Sequence, residues 1–332
     1  MSILITGAGM VGAFAANSLL ARGETPVLYD ISPPYAYLKA VLDLSKVKVV
    51  RGDILDIPCL MRTIQDNKVE RIIHTAGLLT AGVRDNPYAG ISINIGGTAT
   101  VLEAARLSRC KRVVFTSSGT LYYNAFVDSI KGPYQEDFLM RTLSDRPKSI
   151  YPITKLTSEF IGLCYNDLYG VDFAAVRFAG VYGPWIGQPS GIPGRLIDKF
   201  LKGAAAGRPV VIDEPDFAFT GKLDLVYSKD AAESTVLACL AENLKTRIYN
   251  VATGELAGVD DILGAVRKHF PNIAVDYKIG RDRGFSGYSA RPNYPVDIGC
   301  AGREIGYQPR FKLDAAIADY VSLIQRHPEL MH

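Results

Sequence analysis

The sequence predicts an α/β fold in which a doubly wound parallel sheet carries a smaller C-terminal lobe. Short runs rich in β-branched residues alternate with stretches of helical periodicity through the first half of the chain. A glycine-rich turn follows the first of these runs directly. After about residue 180, regular elements are interrupted by segments dense in Gly and Pro, which is typical of a lobe assembled from separate pieces.

Six apolar runs are strand candidates: Ile3–Thr6, Pro26–Tyr29, Val47–Arg51, Arg71–Thr75, Arg112–Phe115 and Val171–Arg177. Between them, helical periodicity predicts helices at Val11–Arg22, Ile57–Gln65, Ile91–Ser108 and Pro152–Tyr169. Strands joined through helices form parallel sheets that are covered on both faces, because each crossover returns over one face.

The second half predicts helices near Pro193–Gly207, Lys229–Glu242 and Val259–Phe270, and loops over Gly180–Gly194 and Gly280–Asp297. We therefore expect a nucleotide-binding domain over residues 1–180, to which residues of about 208–252 return. Residues 181–332 are expected to form mainly the substrate-binding lobe.

Composition excludes several classes of function. The 37 Lys and Arg residues nearly balance the 34 Asp and Glu, so no basic surface for nucleic acid or membrane is expected. The five cysteines form no CxxC and the four histidines no ligand spacing, so we expect reduced thiols and no metal. No apolar run approaches the ~20 residues that span a bilayer. A cytoplasmic protein with a small-molecule substrate is expected.

The glycine-rich turn has the pattern GxGxxG, formed by Gly7, Gly9 and Gly12 around Met10 and Val11. The first Gly permits a tight turn, the second lets the backbone approach a pyrophosphate, and the third allows close packing of helix on strand. The N–H groups at the start of the following helix then face the phosphates. This placement predicts a dinucleotide site of the Rossmann type.

Asp30 closes the second strand, 18 residues after Gly12. A carboxylate there accepts both ribose hydroxyls and repels a 2′-phosphate, so the sequence favours NAD over NADP. Four further residues at strand ends are expected to contact the cofactor: Asp53 and Ile54 at the adenine, and Ala76 and Gly77 where the backbone passes close to it. His74, on an apolar strand, is interpreted as a core residue.

Tyr151 and Lys155 stand four residues apart at a predicted helix start, so both project from one face. A free tyrosine ionises near pH 10, and we expect a neighbouring ammonium and the nicotinamide ring to lower this pKa. Ser118 ends the fifth strand, at the edge where open parallel sheets bind ligands. The prediction is a general acid/base, an electrostatic partner that also holds the ribose, and a hydroxyl that orients the substrate oxygen.

With these motifs, nearly the whole chain resembles the extended short-chain dehydrogenase/reductases, the NAD-dependent epimerase/dehydratases. Further similar segments are Asn94 with Gly97-Thr98, Leu102–Ala105, Val181–Pro184, Val226–Ala231 and Arg291-Pro292. The resemblance implies that Ser118, Tyr151 and Lys155 are catalytic and that Asn94 supports the cofactor site. It also suggests Thr80, Thr120 and Arg291 as substrate contacts. Many relatives pair two helices into a dimer bundle, so a homodimer is expected.

Departures from the family pattern narrow the expected chemistry. Gly119 and Thr120 stand where 4,6-dehydratases carry Asp-Glu, which disfavours dehydration. Gly180 and Leu223 replace an Asn and an Arg that contact a substrate diphosphate in nucleotide-sugar epimerases. Residues Ala76–Ala81 are similar to short-chain threonine dehydrogenases.

The function expected first is therefore NAD-dependent hydride transfer at a secondary alcohol of a sugar, sugar acid or small hydroxy acid. One alternative is a nucleotide-sugar 4-epimerase, similar to UDP-glucose 4-epimerase, in which the hydride is only transiently transferred. A second alternative is a non-catalytic NAD-binding sensor, which the presence of both Tyr151 and Lys155 disfavours.

Overall fold

The computed structural model describes residues 1–125, 131–138, 149–186, 191–281 and 293–331. Its strands are β1 (Ser2–Thr6), β2 (Thr25–Asp30), β3 (Lys48–Arg51), β4 (Val69–His74), β5 (Arg112–Ser118), β6 (Phe173–Phe178), β7 (Gly180–Tyr182), β8 (Val210–Ile212), β9 (Leu223–Tyr227), β10 (Ile248–Val251), β11 (Leu256–Ala257) and β12 (Val275–Tyr277). Its helices are α1 (Met10–Ala21), α2 (Tyr35–Val41), α3 (Ile57–Asp66), α4 (Thr80–Asp85), α5 (Pro87–Ile91), α6 (Gly97–Leu107), α7 (Thr120–Ala125), α8 (Ile150–Tyr169), α9 (Ile192–Ala205), α10 (Ser228–Leu240), α11 (Val259–Arg267), α12 (Gly299–Ile305) and α13 (Leu313–Arg326).

Seven parallel strands form the central sheet in the order β10-β6-β5-β4-β1-β2-β3. The strand order reverses between β1 and β4, which makes the sheet doubly wound and confirms the predicted fold class. All seven residues of β5 are buried, as expected for a strand covered on both faces.

Two apolar cores lie on opposite faces of this sheet, and alternate residues of a strand enter different cores. On β1, Ile3 and Ile5 belong to the core that also contains residues of α1 and α10, whereas Leu4 belongs to the core beneath α3 and α6. This period of two is the expected consequence of the pleat. The two cores hold the strands in register and so fix where their carboxyl ends lie.

A three-stranded sheet (β11-β9-β7) and a two-stranded sheet (β12-β8) complete the described strands. Of the segments predicted to return to the first domain, β10 joins the central sheet beside β6 and α10 packs against α1. β8 instead pairs with β12. The division into a nucleotide-binding domain and a substrate-binding lobe stays a prediction.

Three predictions of local structure differ from the fold. The segment Gly180–Gly194 is not all loop, because residues 180–182 form β7 and α9 begins at Ile192 with Pro193 in its first turn. The single helix predicted over Ile91–Ser108 is divided by a π-helical turn at Ser92–Gly96. Helix α2, directly after Pro33-Pro34, was not predicted from the sequence.

Among the helices described, none combines the length and the apolar character needed to cross a bilayer. Likewise, the described residues contain no group of three or more His, Cys, Asp and Glu side chains that could hold a metal ion.

Candidate active site

The predicted cofactor and catalytic residues gather at one edge of the central sheet, where its parallel strands end. Gly7 follows β1, Asp30 ends β2, Asp53 follows β3 and Ala76 follows β4, while Ser118 is the last residue of β5. Because all these strands run in the same direction, their carboxyl ends meet at one edge. Motifs that are far apart in the sequence therefore lie next to one another along this edge.

The glycine turn has the geometry of a phosphate cradle. Gly7 has a φ of +89°, and a Cβ there would lie 2.6 Å from Thr75 Oγ1. At Gly12 a Cβ would lie 2.0 Å from the Gly7 carbonyl oxygen, whereas at Gly9 it would meet nothing within 4 Å. The first hydrogen bond of α1 runs from the Ala13 N–H to the Gly9 carbonyl, so the preceding N–H groups, including those of Met10 and Val11, stand at the open helix end.

Asp30 is held by backbone N–H groups on both sides. Its Oδ2 accepts from Ala8 N and its Oδ1 from Ser32 N, each at 2.8 Å. A carboxylate has about four acceptor positions, so capacity remains for the two ribose hydroxyls. The contact with Ala8 also joins the carboxylate to the glycine turn, which places a negative charge where it would exclude a 2′-phosphate.

Asp53 and Ile54, which are predicted to contact the adenine, lie next to the Tyr29 side chain. The Tyr29 hydroxyl donates to the Asp53 carbonyl at 2.8 Å, and Asp53 Oδ1 accepts from Leu55 N at 2.9 Å. Ile54 is buried, and a Cβ at Gly97 would lie 2.4 Å from its Cδ1. Asp53 keeps its second carboxylate oxygen available, while the Ile54 side chain packs inward onto α6.

Asn94 braces the strand end that carries Ala76 and Gly77. Its Oδ1 accepts from Leu78 N at 2.8 Å, and its Nδ2 donates to Leu78 O and to Thr154 Oγ1, both at 3.0 Å. The asparagine therefore fixes the loop after β4 against α8. A Cβ at Gly77 would lie 3.0 Å from Asn94 Oδ1 and 3.8 Å from Lys155 Nζ, so a side chain at this position would crowd the Asn94 amide.

Ser118, Tyr151 and Lys155 come together as predicted from their positions. Thr120 Oγ1 donates to Ser118 Oγ at 2.9 Å, and the Ser118 side chain lies close enough to the Tyr151 hydroxyl to lower its pKa. Lys155 Nζ donates to the Thr116 carbonyl at 2.8 Å and lies 5.9 Å from the centre of the Tyr151 ring. Helix α8 presents the tyrosine and the lysine, and the end of β5 presents the serine.

The protonation of this cluster differs from the expectation drawn from the sequence. Burial raises the pKa of Tyr151 to about 12, although the hydrogen bond with Ser118 opposes this. Burial lowers the pKa of Lys155 to about 8, while the Glu159 carboxylate opposes the change. The expected lowering of the Tyr151 pKa is therefore not found in the protein alone, because desolvation outweighs the lowering by Ser118.

His74 is a core residue, as the sequence suggested. Its Nδ1 lies 2.6 Å from Thr6 Oγ1 and its Nε2 lies 3.2 Å from Thr98 Oγ1, and the ring is fully buried. Burial, together with the charge of Lys155, lowers its pKa to about 3. It is therefore expected to stay neutral at physiological pH and not to act as a general acid there.

The three predicted substrate contacts have different outcomes. Thr120 touches Ser118, as described above. Thr80 begins α4, whose residues pack against α8, the helix that carries Tyr151 and Lys155. Arg291 lies outside the described residues.

Two charged residues beside the cluster were not predicted from the sequence. Glu159 lies one helical turn after Lys155 on α8, and Arg177 on β6 donates to both of its carboxylate oxygens. The spacing of four residues from Tyr151 to Lys155 continues to Glu159, and this was the one signal in the sequence.

The arrangement is suited to moving a proton at a hydroxyl next to a bound nicotinamide. NAD fits the residues present, because the turn leaves space at Gly9 and the Asp30 carboxylate lies beside it. Lys155 Nζ lies 3.8 Å from the position that a Cβ at Gly77 would take and 5.9 Å from the centre of the Tyr151 ring. The same side chains thus connect the expected cofactor cleft to the catalytic hydroxyls.

Comparison with known proteins agrees with this geometry. A model of the NAD dependent epimerase/dehydratase family matches residues 3–252. UDP-glucuronate 4-epimerase 4 of Arabidopsis thaliana is 26% identical over 344 residues, which cover 97% of this chain and 74% of the relative.

Solved structures share the fold over nearly all of both chains. The epimerase Mth375 of Methanothermobacter thermautotrophicus has a TM-score of 0.81 and 22% identity, over 99% of this chain and 94% of its own. A partial consensus L-threonine 3-dehydrogenase also has a TM-score of 0.81, with 20% identity, over 98% of this chain and 100% of its own. An epimerase and a dehydrogenase therefore match the fold equally well.

Proposed function

The chain belongs to the NAD-dependent epimerase/dehydratase family, and we propose that it is a 4-epimerase of a UDP-sugar. The observation that carries the catalytic part is the grouping of three side chains: Lys155 Nζ lies 5.9 Å from the centre of the buried Tyr151 ring, and Ser118 lies close enough to the Tyr151 hydroxyl to lower its pKa. The substrate part is supported by the Arabidopsis relative, a UDP-glucuronate 4-epimerase that aligns with 97% of the chain.

In the proposed reaction, Tyr151 removes the proton of the reacting hydroxyl while Ser118 holds the same oxygen. Lys155 stabilises the phenolate by its positive charge, and Thr120 orients Ser118 through its hydroxyl. NAD, when bound, would accept the hydride of the carbon and return it to the opposite face. The Gly7–Gly12 turn would hold the pyrophosphate, and Asp30 would hold the adenosine ribose.

Epimerisation and net oxidation use the same proton transfer and differ in what leaves the site. An epimerase keeps the oxidised sugar bound until it has turned and been reduced again. A dehydrogenase releases both the oxidised product and NADH. The distinction therefore lies in the contacts that retain the substrate and not in Ser118, Tyr151 and Lys155.

A second candidate, net oxidation of a small hydroxy acid or sugar acid, is favoured by the packing around Gly180. A Cβ at this position would lie 2.9 Å from Leu225 Cδ2 and 3.1 Å from Pro193 Cγ, so an Asn does not fit without displacing both. Leu223 is buried and supplies no positive charge. A substrate diphosphate would lack both donors that the resemblance assigns to these positions.

The test is to incubate the protein with NAD and, in separate reactions, with UDP-glucuronate, with UDP-glucose, and with each member of a panel of sugar acids and hydroxy acids. We expect the 4-epimer of a UDP-sugar, separated by anion-exchange chromatography, with no net change in NADH absorbance. Stoichiometric NADH from a substrate without a nucleotide would overturn this proposal in favour of the dehydrogenase. Tight NAD binding without turnover of any substrate would indicate the sensor.

A further inference from the structure

A buried ion pair lies beside Lys155, and the mechanism above does not use it. Glu159 is 2% exposed and Arg177 is 5% exposed. Arg177 Nε donates to Glu159 Oε1 at 2.8 Å, and Nη2 donates to Oε2 at 2.6 Å. This is the bidentate geometry in which an arginine fixes the orientation of a carboxylate most firmly.

The remaining nitrogen of Arg177 reaches two further elements. Nη1 donates to the Tyr122 hydroxyl at 3.0 Å and to the Glu136 carbonyl at 2.7 Å. The Tyr122 hydroxyl in turn donates to Asn250 Oδ1 on β10. The Arg177 guanidinium, on β6, therefore contacts α8, α7 and the described segment 131–138 directly. It is connected to β10 through the Tyr122 hydroxyl.

The elements that this ion pair contacts also carry Ser118, Tyr151 and Lys155, or follow directly after them. Tyr151, Lys155 and Glu159 lie on successive turns of α8. Tyr122 lies on α7, which begins two residues after Ser118, and Arg177 is the β6 partner of Ser117 in the sheet register. The ion pair thus bridges the segment that presents the serine and the helix that presents the tyrosine and the lysine.

The carboxylate of Glu159 also acts on Lys155 electrostatically. Lys155 is 4% exposed, and Glu159 opposes the loss of its proton that burial favours. The other titratable groups that face the ammonium are Tyr151 on α8 and His74 on β4, which is neutral. β5 contributes the Thr116 carbonyl and the Phe115 ring, and the turn before α6 contributes Asn94, none of which carries a charge.

We propose that Glu159 and Arg177 are positioning residues that set the charge of Lys155 and hold Ser118 against Tyr151. Stability alone gives little reason for two buried charges here, because an apolar pair of similar volume commonly stabilises a core at least as well. The inference rests on the proposed catalytic roles of Tyr151 and Lys155. It does not depend on the identity of the substrate.

The decisive variant removes both charges together. Glu159→Gln alone leaves a buried guanidinium unpaired and is expected to unfold the protein, so the pair is replaced as Glu159→Gln/Arg177→Met. We expect a folded protein that binds NAD within about twofold of the wild type and has a kcat at least about tenfold lower. The alkaline decline of kcat/KM should move to lower pH by about one unit, because Lys155 loses its proton more easily.

A second measurement needs no substrate. The Tyr151 phenolate is titrated in the NAD complex by the absorbance difference between each protein and the same protein carrying Tyr151→Phe. The double variant should ionise Tyr151 at higher pH than the wild type does, since the charge of Lys155 is weakened. If no substrate is turned over, the proposed function fails and this titration still decides the positioning role.

Asp172→Asn/Arg112→Met is the matched control, because it likewise removes both charges of an ion pair with a buried arginine, at the opposite end of β5 and at 2.7 Å. We expect this change to leave the pH profile and the Tyr151 titration unaltered. The proposal is overturned if the double variant folds and binds NAD but keeps the kcat, the pH profile and the tyrosine titration of the wild type. It is also overturned if Asp172→Asn/Arg112→Met moves the profile equally.

Discussion

At the residue scale, burial shifts the pKa values of Tyr151 and Lys155 in the directions opposite to those that the proposed reaction needs. Burial makes Tyr151 harder to ionise, with a pKa of about 12, and makes Lys155 easier to neutralise, with a pKa of about 8. A positive nicotinamide beside the pair would favour the phenolate and so reverse the first effect. Cofactor binding and ionisation of Tyr151 are therefore expected to be coupled, and Tyr151 is expected to stay protonated in the protein without NAD.

Tyr151→Phe tests this role directly. Removing the hydroxyl removes the proton acceptor, so we expect kcat to fall by about 10²- to 10⁴-fold. The Kd for NAD should change little, because the ring still fills its buried position. Turnover and isothermal titration with NAD are the two measurements. Full activity in a folded Tyr151→Phe protein would show that another group moves the proton.

Asp30→Ala tests the choice of cofactor. The carboxylate would accept the ribose hydroxyls, and hydrogen bonds to a charged group contribute about 1.5–3 kcal/mol, so the Kd for NAD should rise roughly ten- to hundredfold. The Kd for NADP should rise less or fall, since the repulsion of the 2′-phosphate is lost. Asp43→Asn, at an exposed turn, serves as the control. Unchanged discrimination between the two cofactors would contradict the assignment of Asp30.

At the scale of elements, the sequence predicted the parallel strands well and the connections poorly. Each of β1, β4 and β5 contains a short buried apolar run (Ile3–Ile5, Ile72-Ile73 and Val113–Phe115), so these strands could be located within a few residues. Connections depend on tertiary contacts that a local pattern does not contain. The Gly180–Tyr182 strand exists because β9 lies beside it, although its own residues resemble a loop.

The same limit applies to the site. The glycine turn, Asp30 and the Tyr151–Lys155 pair are local in sequence or lie at strand ends, so their grouping followed from the fold class. The Glu159–Arg177 contact joins a helix to a strand that follows it, and its geometry depends on the register of β6 against β5. That register is set by packing and could not be derived from the spacing of residues.

The glycine turn allows structure and binding to be separated with two matched variants. In Gly12→Ala the new Cβ would lie 2.0 Å from the Gly7 carbonyl oxygen, so α1 must shift and both the stability and the NAD affinity should fall. In Gly9→Ala the Cβ meets nothing within 4 Å, so thermal unfolding should be unchanged while the Kd for NAD rises, because the methyl occupies the space expected for the pyrophosphate. Equal effects of the two changes on stability would contradict this division.

At the scale of the whole molecule, His74 links folding to pH. Its pKa is about 3 when folded, against 6.5 as the ordinary value, so between these values the unfolded chain binds more protons. The free energy of unfolding therefore rises with pH across this window, with a contribution of up to about 1.4 kcal/mol per pH unit from this residue. Urea unfolding of His74→Gln should show a flatter pH dependence than the wild type between pH 3 and 6.5. Parallel curves would exclude His74 as the cause.

The surface of α5 and α8 predicts that two copies of the chain associate. Large apolar side chains are exposed there, with Phe160 on α8 at 57%, and Tyr88 and Ile91 on α5 at 82% and 45%. A twofold axis would pair this surface with itself, so one new charge would appear on both sides of the contact. Phe160→Glu should therefore give monomers in analytical ultracentrifugation, whereas Val211→Glu, at an exposed apolar position on β8, should leave the dimer intact. A wild-type protein that sediments as a monomer would refute the prediction, and the exposed aromatic side chains would then need another partner.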